Sequence, residues 1–103
     1  MYQYWVQGGY QMEYVYKKIK CHCCGNYFDA VDFGNDFHDG EICPICFWQF
    51  DEVGQEKVEI SIGPNKVSLA DARENYKKFG ASTERLKQFV RKPNVDELPE
   101  NNE

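Results

Sequence analysis

Two cysteine pairs constrain this chain more than any other feature. Cys21 and Cys24 are followed by Gly25, Cys43 and Cys46 enclose Pro44 and Ile45, and eighteen residues lie between the pairs. A C-x2-C, ~15–20 residues, C-x2-C spacing is the pattern of a four-sulfur metal site. The physical reason is reach. Two cysteines three apart on a tight turn aim both sulfurs at one point, and N–H groups of the turn can donate to the thiolates. A glycine after the second cysteine permits the turn. Two such turns predict one structural zinc ion on Cys21, Cys24, Cys43 and Cys46, with no position left for a catalytic water. The bland alternatives are buried cysteines acting as small apolar residues, or a redox dithiol. Among the ligands, Cys23 in place of Cys24, or His22 or His38, are the possible substitutes. Gly25 favours Cys24.

A metal suits a chain of this size. With 103 residues there is room for one domain and a thin core, although sixteen aromatics (seven Tyr, seven Phe, two Trp) thicken it. Apolar residues make up 42% and charged residues 28%, a globular composition that excludes wholesale disorder. Five cysteines, an odd number, argue against a disulfide framework. The stretch Met1-Tyr2-Gln3-Tyr4-Trp5 has neither the basic nor the apolar region of a signal peptide, and no apolar run approaches the ~20 residues of a membrane helix. The expected compartment is the cytoplasm.

Charge is polarised along the chain. Residues 21–60 hold nine acids against Lys57 alone, a net of −8, whereas residues 61–92 hold eight bases against three acids, a net of +5. The cysteine-bearing half therefore disfavours phosphate and suits a basic protein partner.

Secondary-structure signals give an α+β chain. Residues 2–7 and 10–19 read as strands of an N-terminal hairpin turning at Gly8-Gly9. Tyr27-Phe28 and Val31 suggest a short strand, and Val58 to Ile62 alternates as a half-buried strand does. Ser68 and Asp71 open a helix whose Leu69, Ala72, Tyr76 and Phe79 share one face; Lys77 and Lys78 occupy its last turn and Gly80 its C′ position. Ser82 or Thr83 is expected to cap a second short helix carrying Leu86, Phe89 and Val90, stopped by Pro93. The expected division is a hairpin extension over 1–19, a cysteine-bearing domain with C-terminal helices over 20–92, and an acidic flexible tail over 93–103.

Three ordered blocks resemble the cysteine-rich CPCC family of small bacterial and phage-associated proteins. They are Cys21-His22-Cys23-Cys24-Gly25, then Glu41-Ile42-Cys43-Pro44-Ile45-Cys46-Phe47-Trp48, then Gly63-Pro64-Asn65 with Ser68 to Tyr76 and on to Gly80-Ala81. The sequence departs from the family pattern at His22, where proline is usual, at Gln49-Phe50, where acids are usual, and at Ile62, where glycine is common. The resemblance implies a zinc-ribbon-like module followed by a helix, and it implies no particular activity.

Functional expectations follow from what is present. The sequence shows no nucleophile elbow, phosphate loop, H-E-x-x-H or useful His–carboxylate pair, so an enzyme is not expected. Asp29, Asp32, Asp36 and Asp39 lack the spacing of a calcium loop and read as turn and surface residues. The first expectation is a zinc-stabilised protein-binding module, in the form of an inhibitor or immunity-type protein for a basic partner such as a nuclease or toxin component. Its contact residues would be Asp36, Asp39, Glu41, Trp48, Asp51 and Glu52. The alternative is a nucleic-acid-binding regulator using the basic face of residues 66–92.

Overall fold

The computed structural model describes residues 2–5, 11–34, 38–60 and 63–103. Two antiparallel hairpins come first. Strand β1 (Tyr2–Trp5) pairs with β2 (Gln11–Tyr14), in register from Tyr2 opposite Tyr14 to Trp5 opposite Gln11. The Gly8-Gly9 turn lies outside the described residues. The strand expected over 10–19 is divided at Val15. Beyond it, β3 (Tyr16–Lys20) leaves the first hairpin and pairs with β4 (Tyr27–Val31) instead.

The second hairpin shows the alternation expected of a half-buried sheet. Ile19, Phe28 and Ala30 are buried, while Lys20 and Asp29 face solvent. Register sets Lys18 directly opposite Asp29, and the two form an ion pair at 3.1 Å.

The segments around the second cysteine pair run antiparallel through the bonds Gly40 N–H to Phe50 O (3.0 Å), Phe50 N–H to Glu41 O (2.7 Å) and Cys43 N–H to Trp48 O (2.9 Å). Gln49 points its backbone groups the other way. There the Asn65 amide takes both, accepting from Gln49 N–H and donating to Gln49 O, each at 2.7 Å.

Helix α1 (Glu52–Glu56) follows at once, with the Asp51 carboxylate accepting from Gly54 N–H. The strand expected from Val58 is not formed by Val58, Glu59 or Ile60; Ser61 and Ile62 lie outside the described residues. Val58 and Glu59 form the turn leaving α1, because Lys57 N–H still bonds Val53 O and Ile60 N–H bonds Lys57 O. Alternation of residue type over five positions does not make a strand without a neighbour to pair with.

Helix α2 (Leu69–Phe79) matches its signals. The Ser68 hydroxyl accepts from Asp71 N–H at 3.0 Å, Gly80 takes the left-handed conformation (φ 72°), and Leu69 and Ala72 are buried. The second helix shrinks to one 3-10 turn, Glu84–Leu86, and Phe89 is 56% exposed. Neither candidate cap works there: the Ser82 and Thr83 hydroxyls are buried and find no hydrogen-bond partner among the described residues. Asp96 and Glu97, in the stretch read as a loose tail, lie in a 3-10 turn (Val95–Glu97), and a second turn covers Pro99–Asn101. Glu97 is buried and holds Arg91 through two bonds of 2.7 and 2.8 Å.

The core gathers Ile19, Phe28, Ile45, Trp48, Phe50 and Leu69 around four buried cysteines, Cys21, Cys23, Cys43 and Cys46. The fold is α+β and zinc-ribbon-like. Among the described residues no helix is long and apolar enough to cross a membrane.

Candidate metal centre

Each cysteine pair sits on a turn of the same construction. In the first, Cys21 N–H donates to Asn26 O (2.9 Å), Gly25 N–H to Cys21 O (3.0 Å), and Cys23 N–H to the Cys21 sulfur (3.4 Å). In the second, Cys43 N–H donates to Trp48 O (2.9 Å), Phe47 N–H to Cys43 O (2.8 Å), and Ile45 N–H to the Cys43 sulfur (3.4 Å). The two turns thus make the same bonds at the same offsets. The residue after the second cysteine takes positive φ in both: Gly25 at 80° and Phe47 at 67°. Glycine adopts that conformation freely, and phenylalanine does not.

The turns bring Cys21, Cys24, Cys43 and Cys46 together, with all four sulfurs within 4.8 Å of one another. Cys21 and Cys46 sulfurs are 3.5 Å apart, and Cys24 and Cys43 sulfurs 3.8 Å. A tetrahedron of thiolates at the usual zinc–sulfur distance has edges of about 3.8 Å. The donor set and its spacing therefore fit a single metal ion of that kind. The turn N–H bonds orient the Cys21 and Cys43 sulfurs and favour their charged form.

Packed together, these thiols govern one another's protons. Hydrogen bonds from Cys21, then Cys43 and Cys46, hold the Cys24 thiol far below its ordinary range. The bonds to Cys24 and Cys43 push the Cys21 thiol up, and those to Cys21, Cys23, Cys24 and Cys43 push Cys46 up. Such a group releases protons when a cation enters.

Cys23, His22 and His38 lie outside the four-sulfur cluster. Cys23 is buried in the core, and the His22 ring sets an edge against Phe50 at 5.5 Å. Helix α2 ties the site together. Arg73 Nε donates to His22 O (2.9 Å), Asn26 Nδ2 to the Tyr76 hydroxyl (3.2 Å), and Ser82 N–H to Cys46 O (2.8 Å). These links from α2 and its exit to both turns carry no motif, and the sequence reading missed them.

The acidic residues expected at a partner surface divide. Asp39 and Glu52 meet at the start of α1, where Asp39 Oδ1 accepts from Glu52 N–H at 3.0 Å. Glu41 lies alongside, since its carbonyl accepts from Phe50 N–H. Asp51 is half-buried, spent on capping α1 and packed over Gly63. Trp48 corrects the expectation: it is 1% exposed, its indole N–H bonds Gln55, and it belongs to the core. A large aromatic ring next to a cysteine turn buries most of its area there. Asp36 lies outside the described residues. Of the other aspartates, Asp32 accepts from Gly34 N–H and Asp29 pairs with Lys18, as turn and surface residues do.

Neither a curated protein nor a solved structure matches the chain. The model of a protein family described as cysteine-rich CPCC matches residues 19–97. That span contains both cysteine turns and helix α2, and the chain belongs to the cysteine-rich CPCC family.

Proposed function

We propose that this protein is a non-enzymatic binding module, stapled by one structural zinc ion on Cys21, Cys24, Cys43 and Cys46, that docks a basic protein partner. An inhibitor or immunity-type role toward a nuclease or toxin component is the concrete form. Four protein thiolates fill a tetrahedral zinc and leave it no chemistry to perform. The observation that supports the docking half is that Asp39, Glu41 and Glu52 all sit where the segments around the second cysteine pair lead into α1, with exposed Val53 next to Glu52. Carboxylates near an exposed apolar residue suit steering and seating of a basic surface.

The nucleic-acid reading draws less support. In the basic stretch, Lys77 pairs with Glu74, Lys87 with Glu84, and Arg91 with Glu97. Charges already paired offer phosphate less.

The test has two arms. Elemental analysis of purified protein should give about one zinc per chain. Metal-loaded protein used as bait should retain a basic partner that Asp39→Lys/Glu41→Lys/Glu52→Lys releases while still binding metal. A partner held equally by the triple variant would sink the docking surface; folded protein without metal would sink the staple.

A further inference from the structure

Three of the four ligand sulfurs are sealed in: Cys21 is 1% exposed, and Cys43 and Cys46 are 0%. Cys24 alone of the four is partly exposed. It closes the first turn on the side facing α2, where two open clefts of about 360 and 530 Å³ adjoin. Both clefts are lined by Cys23, Cys24 and Arg73. The bond from Arg73 Nε to His22 O fixes this guanidinium at the rim; Lys20, which also lines the smaller cleft, is paired with Glu103 at 3.0 Å, and in the larger cleft Glu74 is paired with Lys77 while Glu59 adds a carboxylate.

From this geometry we infer that metal exchange runs through Cys24, in the clefts beside Arg73, and that the acceptor is a small polyanionic chelator. The inference rests on the metal reading above. Four thiolates around a divalent ion leave a net charge of about −2, which repels an anionic acceptor from every side. Arg73 offsets that repulsion at the edge where Cys24 is partly exposed. The exchange is a ligand substitution. The bond between the Cys24 sulfur and the metal breaks as an acceptor oxygen forms its own. Cys24 departs as a thiolate, and no electrons change hands. The sealed sulfurs follow once the first has gone.

Cobalt(II)-loaded protein reports the process through its thiolate absorption. With ethylenediaminetetraacetate as acceptor, Arg73→Glu should slow metal loss about 5-fold at low salt. Arg73→Lys should restore the rate, because it keeps the charge. With a neutral tetrapyridyl chelator the three proteins should lose metal alike. In a second measurement, metal-loaded Cys23→Ser protein is treated with limiting iodoacetamide, and Cys24 should be labelled before the other ligands. Equal slowing with both chelators, no rescue by lysine, or earlier labelling of Cys21, Cys43 or Cys46 would overturn the route alone. Failure to take up about one equivalent of cobalt or zinc would overturn the metal reading, and the route with it.

Discussion

The unequal residues at matching places in the two cysteine turns allow a sharp test. Phe47 holds φ 67° where Gly25 holds φ 80°. Replacing Phe47 by either alanine or glycine removes the same side chain. Both variants lose a half-buried ring and its contact with Phe89 at a centroid distance of 5.8 Å. That loss is worth roughly 1–2 kcal/mol. The variants differ only in backbone. Alanine keeps a left-handed strain of about 1–2 kcal/mol, offset by the ~0.4–1 kcal/mol it saves in unfolded-chain entropy. Glycine carries no strain. Phe47→Gly should therefore be more stable than Phe47→Ala by about 1 kcal/mol, close to a 5-fold difference in equilibrium constant. This reverses the order found at ordinary positions, where glycine is the weaker residue. Guanidinium unfolding at fixed zinc concentration, followed by tryptophan fluorescence, measures the difference. Equal stability, or alanine ahead, would refute the claim that Phe47 is strained. Gly25→Ala should cost about 1 kcal/mol for the same reason.

Other perturbations probe the rest of the scaffold. Trp48→Ala removes a sealed core ring and should cost about 3–5 kcal/mol in denaturant unfolding; a loss under 1 kcal/mol would contradict its burial. Gly63→Ala should also destabilise strongly, since φ is +89° and a methyl group there would collide with the Asp51 carboxylate; an unchanged midpoint would contradict that contact. The bonds from Arg91 foremost hold the Glu97 carboxyl below its ordinary 4.5, so its stabilisation is complete above that value and is lost as pH falls through the depressed one. Glu97→Gln should consequently lower stability at neutral pH and flatten the acid limb of the stability–pH profile, and a profile of unchanged steepness would count against the pair. Asn65→Ala strips two partners from Gln49 and should cost about 2 kcal/mol.

The sequence disclosed the parts whose signals are local. The Cys21 to Cys24 and Cys43 to Cys46 spacings encode their own turns, and Ser68 with Gly80 brackets α2 with its own caps. What failed needed information from elsewhere in the chain. Val58 to Ile60 alternates like a strand, yet Val58 is engaged as the carbonyl partner of Ala70 N–H at the start of α2. Tyr16–Lys20 reads as the continuation of one long strand, and only the pairing with Tyr27–Val31 divides it at Val15. Aromatics bury most readily, so core packing is the stronger reading of Trp48 and the surface anchor the weaker; the Gln55 bond that fixes it inward arises from α1, a helix of five residues too short to leave a periodic trace. Phe47 carries no sign in its identity that it must adopt a glycine's conformation.

The Asn65 amide has a consequence for how copies of this chain treat one another. Gln49 directs its main-chain N–H and C=O away from the ribbon, as the outermost position of any small sheet must. Left bare, that pair of groups would be a template on which a stranger's extended segment could crystallise into a longer sheet. A single folded-over carboxamide satisfies both at once and shuts the template without adding a strand. Losing it should show first as clumping in concentrated solution, before any change in the capacity of the four cysteines to take up metal.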